Sequence, residues 1–186
     1  MNGSHRVHDP SLAVFLTEAG KIPLLDHEQE IVLGRELRER HRELELILLG
    51  SHYVWRKVLD WQELVAAGEL NPAELMPRGR KTPAQAGAMR RRLRGTCRIL
   101  RRALKGGAAA HDRAVAALET LNLNRKKLLA LADELRDDAR RRPAGAERGE
   151  LLELSQRVAE AKERIAVSRT ALVEANIRLA VSVAKR

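Results

Sequence analysis

The stretch LLELSQRVAEAKERIAVSRTALVEANIRLAV, from Leu151 to Val181, carries one apolar stripe at helical spacing. The residues of this stripe follow one another in alternating steps of three and four positions: Leu151, Leu154, Val158, Ala161, Ile165, Ser168, Leu172, Ala175 and Leu179. A repeat that continues over so many turns is typical of a helix that packs along its length against another helix. The stretch therefore predicts a long helix and an all-α fold.

The segment before this stretch repeats the same spacing. Its stripe consists of Ala117, Leu121, Asn124, Leu128, Leu131 and Leu135. Between the two stripes, the run RRRPAGAERG contains Pro143, Gly145 and Gly149, which predict a turn. We therefore expect residues 111–186 to form a long antiparallel helical hairpin. Asn124 would lie in its seam, where a polar side chain either fixes the register of the pairing or faces an opening in the packing.

Cap and stop signals divide the preceding residues into shorter helices. We expect a first helix over residues 10–20, a second over 26–49, a third over 51–68 and a short helical turn after Asn71. Asp26 and Gln29 have the spacing of a capping box, in which each side chain bonds to the backbone of the other residue. Because only 2% of the residues are aromatic, these signals predict a helical bundle with an aliphatic core.

The positive charge of the chain is concentrated in one segment. The formal net charge is +10, and residues 78–105 contain eleven basic side chains and no acidic one. The run PRGRKTPAQ, residues 77–85, has the composition of a linker. The following MRRRLRGTCRILRRALK predicts a cationic amphipathic helix, whose apolar stripe consists of Met89, Leu93, Cys97, Leu100 and Leu104.

Clustered arginines of this kind favour a polyanionic partner, and nucleic acid is the usual one. The possible phosphate contacts are Arg90, Arg91, Arg92, Arg94, Arg98, Arg101 and Arg102. The alternative is a solvated, flexible basic arm without a ligand. A membrane surface is a poorer partner, because the apolar stripe contains neither Trp nor Phe.

No set of residues in the sequence has the pattern of an active site. The six histidines are scattered, and His5 and His8, although three positions apart, have only Asp9 beside them as a further ligand. Cys97 falls on the apolar stripe, which favours a small core residue over a reactive thiol. We therefore expect a protein that is not an enzyme and uses no cofactor or metal. The sequence has no secretion signal and no membrane-spanning run, which predicts a cytoplasmic protein.

Two segments resemble a known family. SLAVFLTEAGKIPLLDHEQEIVLGREL, Ser11 to Leu37, resembles the first conserved block of primary-type bacterial sigma factors, the promoter-recognition subunits of RNA polymerase. ALVEANIRLAVSVAKR, Ala171 to Arg186, resembles the opening of the second conserved block of that family. The two segments occur in the family's order, with a long helical insertion between them.

The resemblance implies a fold and a set of contacts. In the family, the first block is an L-shaped helix pair that lies beside the second block, and both touch the non-template strand just downstream of the −10 promoter element. By this resemblance, Phe15 and Leu16 would meet the discriminator bases. Glu30, Asn176 and Leu179 would line a pocket for a flipped base. The implied partners are the RNA polymerase core and promoter DNA.

The resemblance also divides the chain in sequence order. Residues 1–50 would be the helices of the first conserved block, residues 51–110 a variable insertion with the arginine-rich linker and helix, and residues 111–186 the hairpin that ends in a truncated second block. Two departures weaken the match. Ala13 and Thr17 stand where the family has basic residues. The chain also stops before the family's strand-melting aromatics and the helix that reads the −10 element.

We therefore expect the N-terminal portion of a sigma factor, which contacts single-stranded promoter DNA during transcription initiation. One alternative is a self-standing, truncated sigma-like regulator that binds RNA polymerase or another partner without opening promoters. Another is a basic helical scaffold that binds nucleic acid without sequence preference. The apolar C-terminal helix also makes self-association an expectation.

Overall fold

The computed structural model describes residues 26–184, apart from the side chains of residue 175 and residues 178–184. In this range it contains six α-helices, one 3₁₀ helix and no strand. The α-helices are α1 (His27–Leu49), α2 (His52–Ala67), α3 (Pro83–Ala103), α4 (Ala108–Leu121), α5 (Arg125–Arg141) and α6 (Ala146–Ala184), and the 3₁₀ helix spans Pro72–Leu75. The predicted all-α fold is confirmed. The predicted first helix, and with it the L-shaped pair, lies outside the described residues.

The contacts between residues divide the chain into two compact units. We call residues 42–161 the middle unit, and residues 26–41 together with 162–184 the terminal unit. This grouping by contacts does not follow chain order. The three-part division of the sequence into residues 1–50, 51–110 and 111–186 therefore stays a prediction.

Local caps fix where the first helices begin and end. At the start of α1, the Gln29 N–H donates to Asp26 Oδ1 at 2.8 Å and the Asp26 N–H donates to Gln29 Oε1 at 3.0 Å, so the predicted capping box is confirmed. Ser51 caps α2 by accepting from the Val54 N–H. Gly68 ends that helix at φ 82°, a left-handed conformation that glycine adopts without a steric penalty.

The start of α3 differs from the sequence-based expectation. The predicted linker over residues 77–85 is too long, because α3 begins at Pro83. Thr82 and Gln85 form a second capping box, and proline fits the first helical position, where its missing N–H costs no hydrogen bond. The helix is therefore held by a specific cap next to its most basic region.

The core of the middle unit is mostly aliphatic and contains one tryptophan. Trp55 is fully buried, and its indole Nε1 donates to the Leu49 carbonyl oxygen at 2.6 Å. The other fully buried side chains of the middle unit include Leu48, Val54, Val58, Leu75, Met89, Leu93, Leu100, Leu118 and Leu135. The indole N–H thus has a partner, as buried polar groups require.

The first arm of the expected hairpin is broken, which corrects the prediction of one helix through Asn124. Helix α4 ends at Leu121, Asn122 adopts φ 51°, and α5 starts at Arg125. Asn124 does not lie in a seam. It is the N-cap of α5, with its side chain accepting from the Lys126 N–H at 3.0 Å. Asparagine tolerates the left-handed region and bonds readily to nearby backbone, which explains the break.

Asn124 also joins this break to the 3₁₀ helix. Its backbone N–H donates to the Leu75 carbonyl at 2.8 Å, and its Nδ2 donates to the Glu74 carbonyl at 3.2 Å. Beside it, Lys127 Nζ lies 3.1 Å from Glu74 Oε2. One residue therefore caps a helix and ties two segments together that are about fifty positions apart in the sequence.

The apolar stripes of α5 and α6 are buried within the middle unit. The buried residues are Leu128, Leu131, Leu135, Leu151, Leu154, Val158 and Ala161. Only residues 142–145 separate the two helices. Antiparallel pairing of α5 with α6 stays a prediction that fits these observations.

Replacement of Asn124 by alanine removes the side-chain cap of α5 and the Nδ2 bond to the Glu74 carbonyl, whereas the backbone bond to Leu75 remains. We expect the free energy of unfolding to fall by about 1 to 3 kcal/mol, the sum of a lost cap and of backbone groups left without their partner. Urea denaturation followed by circular dichroism measures the change. Lys126→Ala, an exposed change on the same turn, is the control and should stay within about 0.5 kcal/mol. Equal urea midpoints for Asn124→Ala and Lys126→Ala would contradict a stabilising role of the Asn124 side chain.

A second prediction concerns Tyr53, whose hydroxyl donates to Asp138 Oδ2 at 2.7 Å and joins α2 to α5. This bond, with Lys57 nearby, holds the pKa of Asp138 below its ordinary value. Asp138 therefore stabilises the fold above the unfolded-state pKa of about 3.9, and this contribution is lost as the pH falls through the lower folded-state pKa. We expect Tyr53→Phe to reduce stability by about 1 to 2 kcal/mol at pH 7.

Urea denaturation of parent and Tyr53→Phe at pH 7, 5 and 3 measures this effect. The difference between the two proteins should be constant from pH 7 to 5 and should shrink toward pH 3. A difference that grows on acidification would exclude the charged carboxylate as the acceptor.

Candidate nucleic-acid interface

The terminal unit contains two of the residues expected to contact a flipped base. Glu30 lies in the first turn of α1, and Asn176 lies near the end of α6; both side chains are exposed. Both residues belong to the terminal unit, which is one of the two compact units. A base-sized hollow between them stays a prediction. Phe15 and Leu16, and the side chain of Leu179, lie outside the described residues.

The terminal unit buries part of the α6 stripe and exposes apolar residues on α1. Ile165 and Ser168 continue the α6 stripe and are buried. On α1, Ile31 is 46% exposed and Val32 is 58% exposed, next to the acidic first turn. The start of α1 thus presents carboxylates and aliphatic side chains together, which suits a mixed polar and apolar ligand.

Helix α3 buries its apolar stripe and turns its arginines to solvent. Met89, Leu93, Cys97 and Leu100 are fully buried, and α3 packs against α2, α4 and the 3₁₀ helix. All seven arginines of α3 are exposed. At about 100° per residue, six of them fall within an arc of about 120° that excludes the stripe and begins beside Cys97: Arg90, Arg91, Arg94, Arg98, Arg101 and Arg102. We call these six residues the arginine face.

The seventh arginine and one member of the arginine face have contacts within the protein. Arg92 lies at the flank of the stripe, with Nη2 3.9 Å from Met89 Sδ. Arg101 donates to Gln62 Oε1 at 3.1 Å and lies 3.7 Å from Glu63 Oε1 on α2. Among the residues that the structure describes, no acidic side chain pairs with the other five arginines of the face. Their charge is therefore left for solvent or a ligand.

Cys97 is a core residue, as its position on the stripe predicted. It is fully buried, and its Sγ lies 3.7 Å from the Val58 carbonyl oxygen. Burial raises the pKa of the Cys97 thiol to about 11, even though Arg101 opposes the shift. Because the thiolate is the nucleophile, burial and the raised pKa both lower the reactivity of Cys97 at neutral pH.

The structure also contains a ring cluster that the sequence did not indicate. The ring centroids of His52 and His111 lie 4.9 Å and 5.0 Å from that of Trp55, and His111 Nε2 donates to the Gly50 carbonyl at 2.8 Å. An open cavity of about 270 Å³ adjoins the two histidines. Residues 52 and 111 belong to different helices, and no local motif announces their contact. Within residues 26–184, no group of three or more metal-ligating side chains comes together.

The comparison with protein families gives a match in the N-terminal part of the chain. Residues 11–39 match the family model described as Sigma-70 factor, region 1.2. The match supports a sigma-70 family N-terminal region over these residues. Residues 27–39 of this match form the first turns of α1, including Glu30. A search of curated proteins finds no match to the chain.

The sigma-70 match supports a sigma factor-like function in transcription initiation. Sigma-70 factors are not enzymes, and the RNA polymerase core is the partner that the family implies. The second resembling segment, residues 171–186, and the arginine face lie outside the matched residues. None of the described helices is long and apolar enough to cross a bilayer.

The burial of Cys97 predicts slow alkylation. With its pKa near 11 instead of about 8.5, the thiolate fraction at pH 8 falls by about 100-fold or more, and burial slows access further. Maleimide labelling in native buffer and in 6 M guanidinium chloride, about the concentration that unfolds even very stable proteins, compares the two states. Cys97→Ala combined with Arg98→Cys moves the thiol to the adjacent exposed position and should label fast without denaturant. Fast labelling of native Cys97 would contradict its placement in the core.

Proposed function

We propose that this chain is the N-terminal portion of a primary-type sigma factor and that its terminal unit holds single-stranded promoter DNA just downstream of the −10 element. The observation that carries the proposal is the region 1.2 match over residues 11–39. The exposure of Glu30 and Asn176 in one unit supports it. The mechanism is binding, and the full-length parent would direct promoter-specific initiation by the RNA polymerase core.

The residue types fit a flipped base. An unpaired base offers hydrogen-bonding groups on its edge and apolar faces, so a carboxylate, an amide and an aliphatic side chain complement it. Glu30, Asn176 and Leu179 supply these three kinds of group. Phe15 supplies an aromatic ring on which a neighbouring unstacked base would stack, and Leu16 an apolar contact beside it.

The exposed aliphatic side chains of α1 are consistent with a protein partner. Ile31 and Val32 lie within the matched region and are about half exposed. Apolar side chains exposed beside charged ones are common where one protein docks on another. We assign the RNA polymerase core as that partner for the full-length parent.

The test is binding of a fluorescent single strand with a discriminator sequence to the chain in complex with core RNA polymerase. Phe15→Ala removes the stacking ring and should weaken binding by about 5-fold to 100-fold, whereas Phe15→Tyr keeps the ring and should bind almost like the parent. Fluorescence anisotropy gives the dissociation constants. Co-purification of the chain with core polymerase establishes the complex first.

The base pocket itself is tested by a double-mutant cycle. Glu30→Gln and Asn176→Ala should each weaken binding of the same strand, and their effects should be less than additive if both contact one base. Glu28→Gln, an exposed acid in the same turn of α1, is the matched control and should leave binding unchanged. A chain that binds core polymerase while Phe15→Ala and Glu30→Gln change nothing would favour the truncated regulator.

A further inference from the structure

Helix α3 carries a charged surface that the region 1.2 match does not explain. We infer that the arginine face of α3 is a docking surface for the phosphate backbone of duplex DNA. This inference concerns the middle unit and does not depend on the contact of the terminal unit with single strands.

The first argument is the arrangement of the charge. Six arginines lie on one side of one helix, and the distance along the axis from Arg90 to Arg102 is about 18 Å. Residues 78–105 include no acidic side chain, so α3 and the preceding linker contribute only positive charge. Phosphates follow one another closely along each strand of a duplex, so a row of this length meets several of them.

The second argument is the type of cation. All seven basic residues within α3 are arginines, and the lysines of the segment, Lys81 and Lys105, lie outside the helix. A solvated helix face needs only charge, for which lysine serves equally well. The guanidinium group adds a planar pair of donors that binds two phosphate oxygens at once. The exclusive use of arginine therefore favours phosphate over bulk solvent as the ligand.

The third argument is rigidity. The buried stripe of α3 and the Thr82–Gln85 capping box fix the helix in the middle unit, so the face is presented on a folded surface and not on a flexible arm. A surface ordered before binding loses less conformational entropy when it meets its ligand. The interpretation of this segment as a flexible basic arm is thereby excluded for residues 83–103.

The fourth argument distinguishes duplex from single-stranded nucleic acid. Proteins that hold single strands place aromatic rings beside the basic groove, so that bases stack on them. Among the described residues, Tyr53 and Trp55 are buried and Trp61 is only partly exposed. The arginine face has no ring of its own, because α3 contains no aromatic residue. Contacts with phosphate alone suit a duplex, whose bases are already stacked, and carry no sequence preference.

Two glycines on the arginine face of α3 allow a ligand to approach the helix backbone closely. Gly87 falls in the middle of the arginine arc and Gly95 at its edge, although each glycine costs a helix about 1 kcal/mol relative to alanine. A Cβ atom at Gly95 would meet nothing within 4 Å, so packing within the protein does not require this glycine. Because Gly95 has no side chain, the helix surface is open at this position, one turn from Arg91 and one turn from Arg98.

The experiment measures binding of the full chain to a fluorescent duplex of about twenty base pairs without promoter sequence, from 50 to 300 mM salt, a range over which phosphate contacts weaken measurably. We expect a linear fall of log K with log salt, with a slope of about −0.9 for each phosphate contacted. Arg94→Gln combined with Arg98→Gln, at the centre of the face, should make the slope shallower by about 1.8.

The matched control is Arg125→Gln combined with Arg136→Gln, which removes the same charge from exposed positions on α5 and should leave the slope unchanged. Circular dichroism verifies that both double variants are folded. Arg94→Lys with Arg98→Lys keeps the charge and should keep the slope while lowering affinity, because the paired donors are lost.

Three results would overturn the inference. The first is a salt slope that the two double variants change equally, since the effect would then be one of net charge. The second is tighter binding of the single strand than of the duplex. The third is binding of polyglutamate as tight as that of the duplex, which would assign the face to an acidic protein. Phe15→Ala should not affect this assay, so its outcome is separate from that of the promoter-strand experiment.

Discussion

Burial of one apolar stripe on α3 is the constraint on which the rest of the middle unit depends. Met89, Leu93, Cys97 and Leu100 lose all contact with solvent where α3 meets α2, α4 and the 3₁₀ helix. Burial of side chains of this size is the dominant favourable term in folding, and an arginine placed among them would be buried without a partner. The stripe therefore leaves only one side of the helix for charge. The arginine face is a direct result of how the core is built.

The helix boundaries show what local sequence determines and what it does not. The caps at Asp26 and Ser51 and the stop at Gly68 follow from side chains that act on their own backbone within a few residues, and each was predictable. The break after Leu121 was not predictable from local sequence. The spacing from Leu121 through Asn124 to Leu128 continues the heptad without a change of phase, so the periodicity is the same with or without a break. The deciding interaction is with Leu75, far away in the sequence.

The arginine face and the expected base pocket also differ in how far local sequence predicts them. The arginine face was predictable because its residues lie on one helix, where spacing alone sets direction. Glu30 and Asn176 are separated by most of the chain, and only a family resemblance suggested that they act together. The sigma-70 region 1.2 match includes the first of these positions and does not reach the second, so the joint role of the two residues stays a prediction. The ring cluster of His52, Trp55 and His111 had no signal of either kind, since it arises where α2 meets α4.

The exclusive use of arginine in α3 has a consequence for control. A guanidinium group is not a substrate for the acetylation that neutralises lysine. Lysine acetylation therefore cannot remove the positive charge of α3. The concentration of mobile ions, or another macromolecule with a higher density of negative charge, would modulate the potential of this surface from outside.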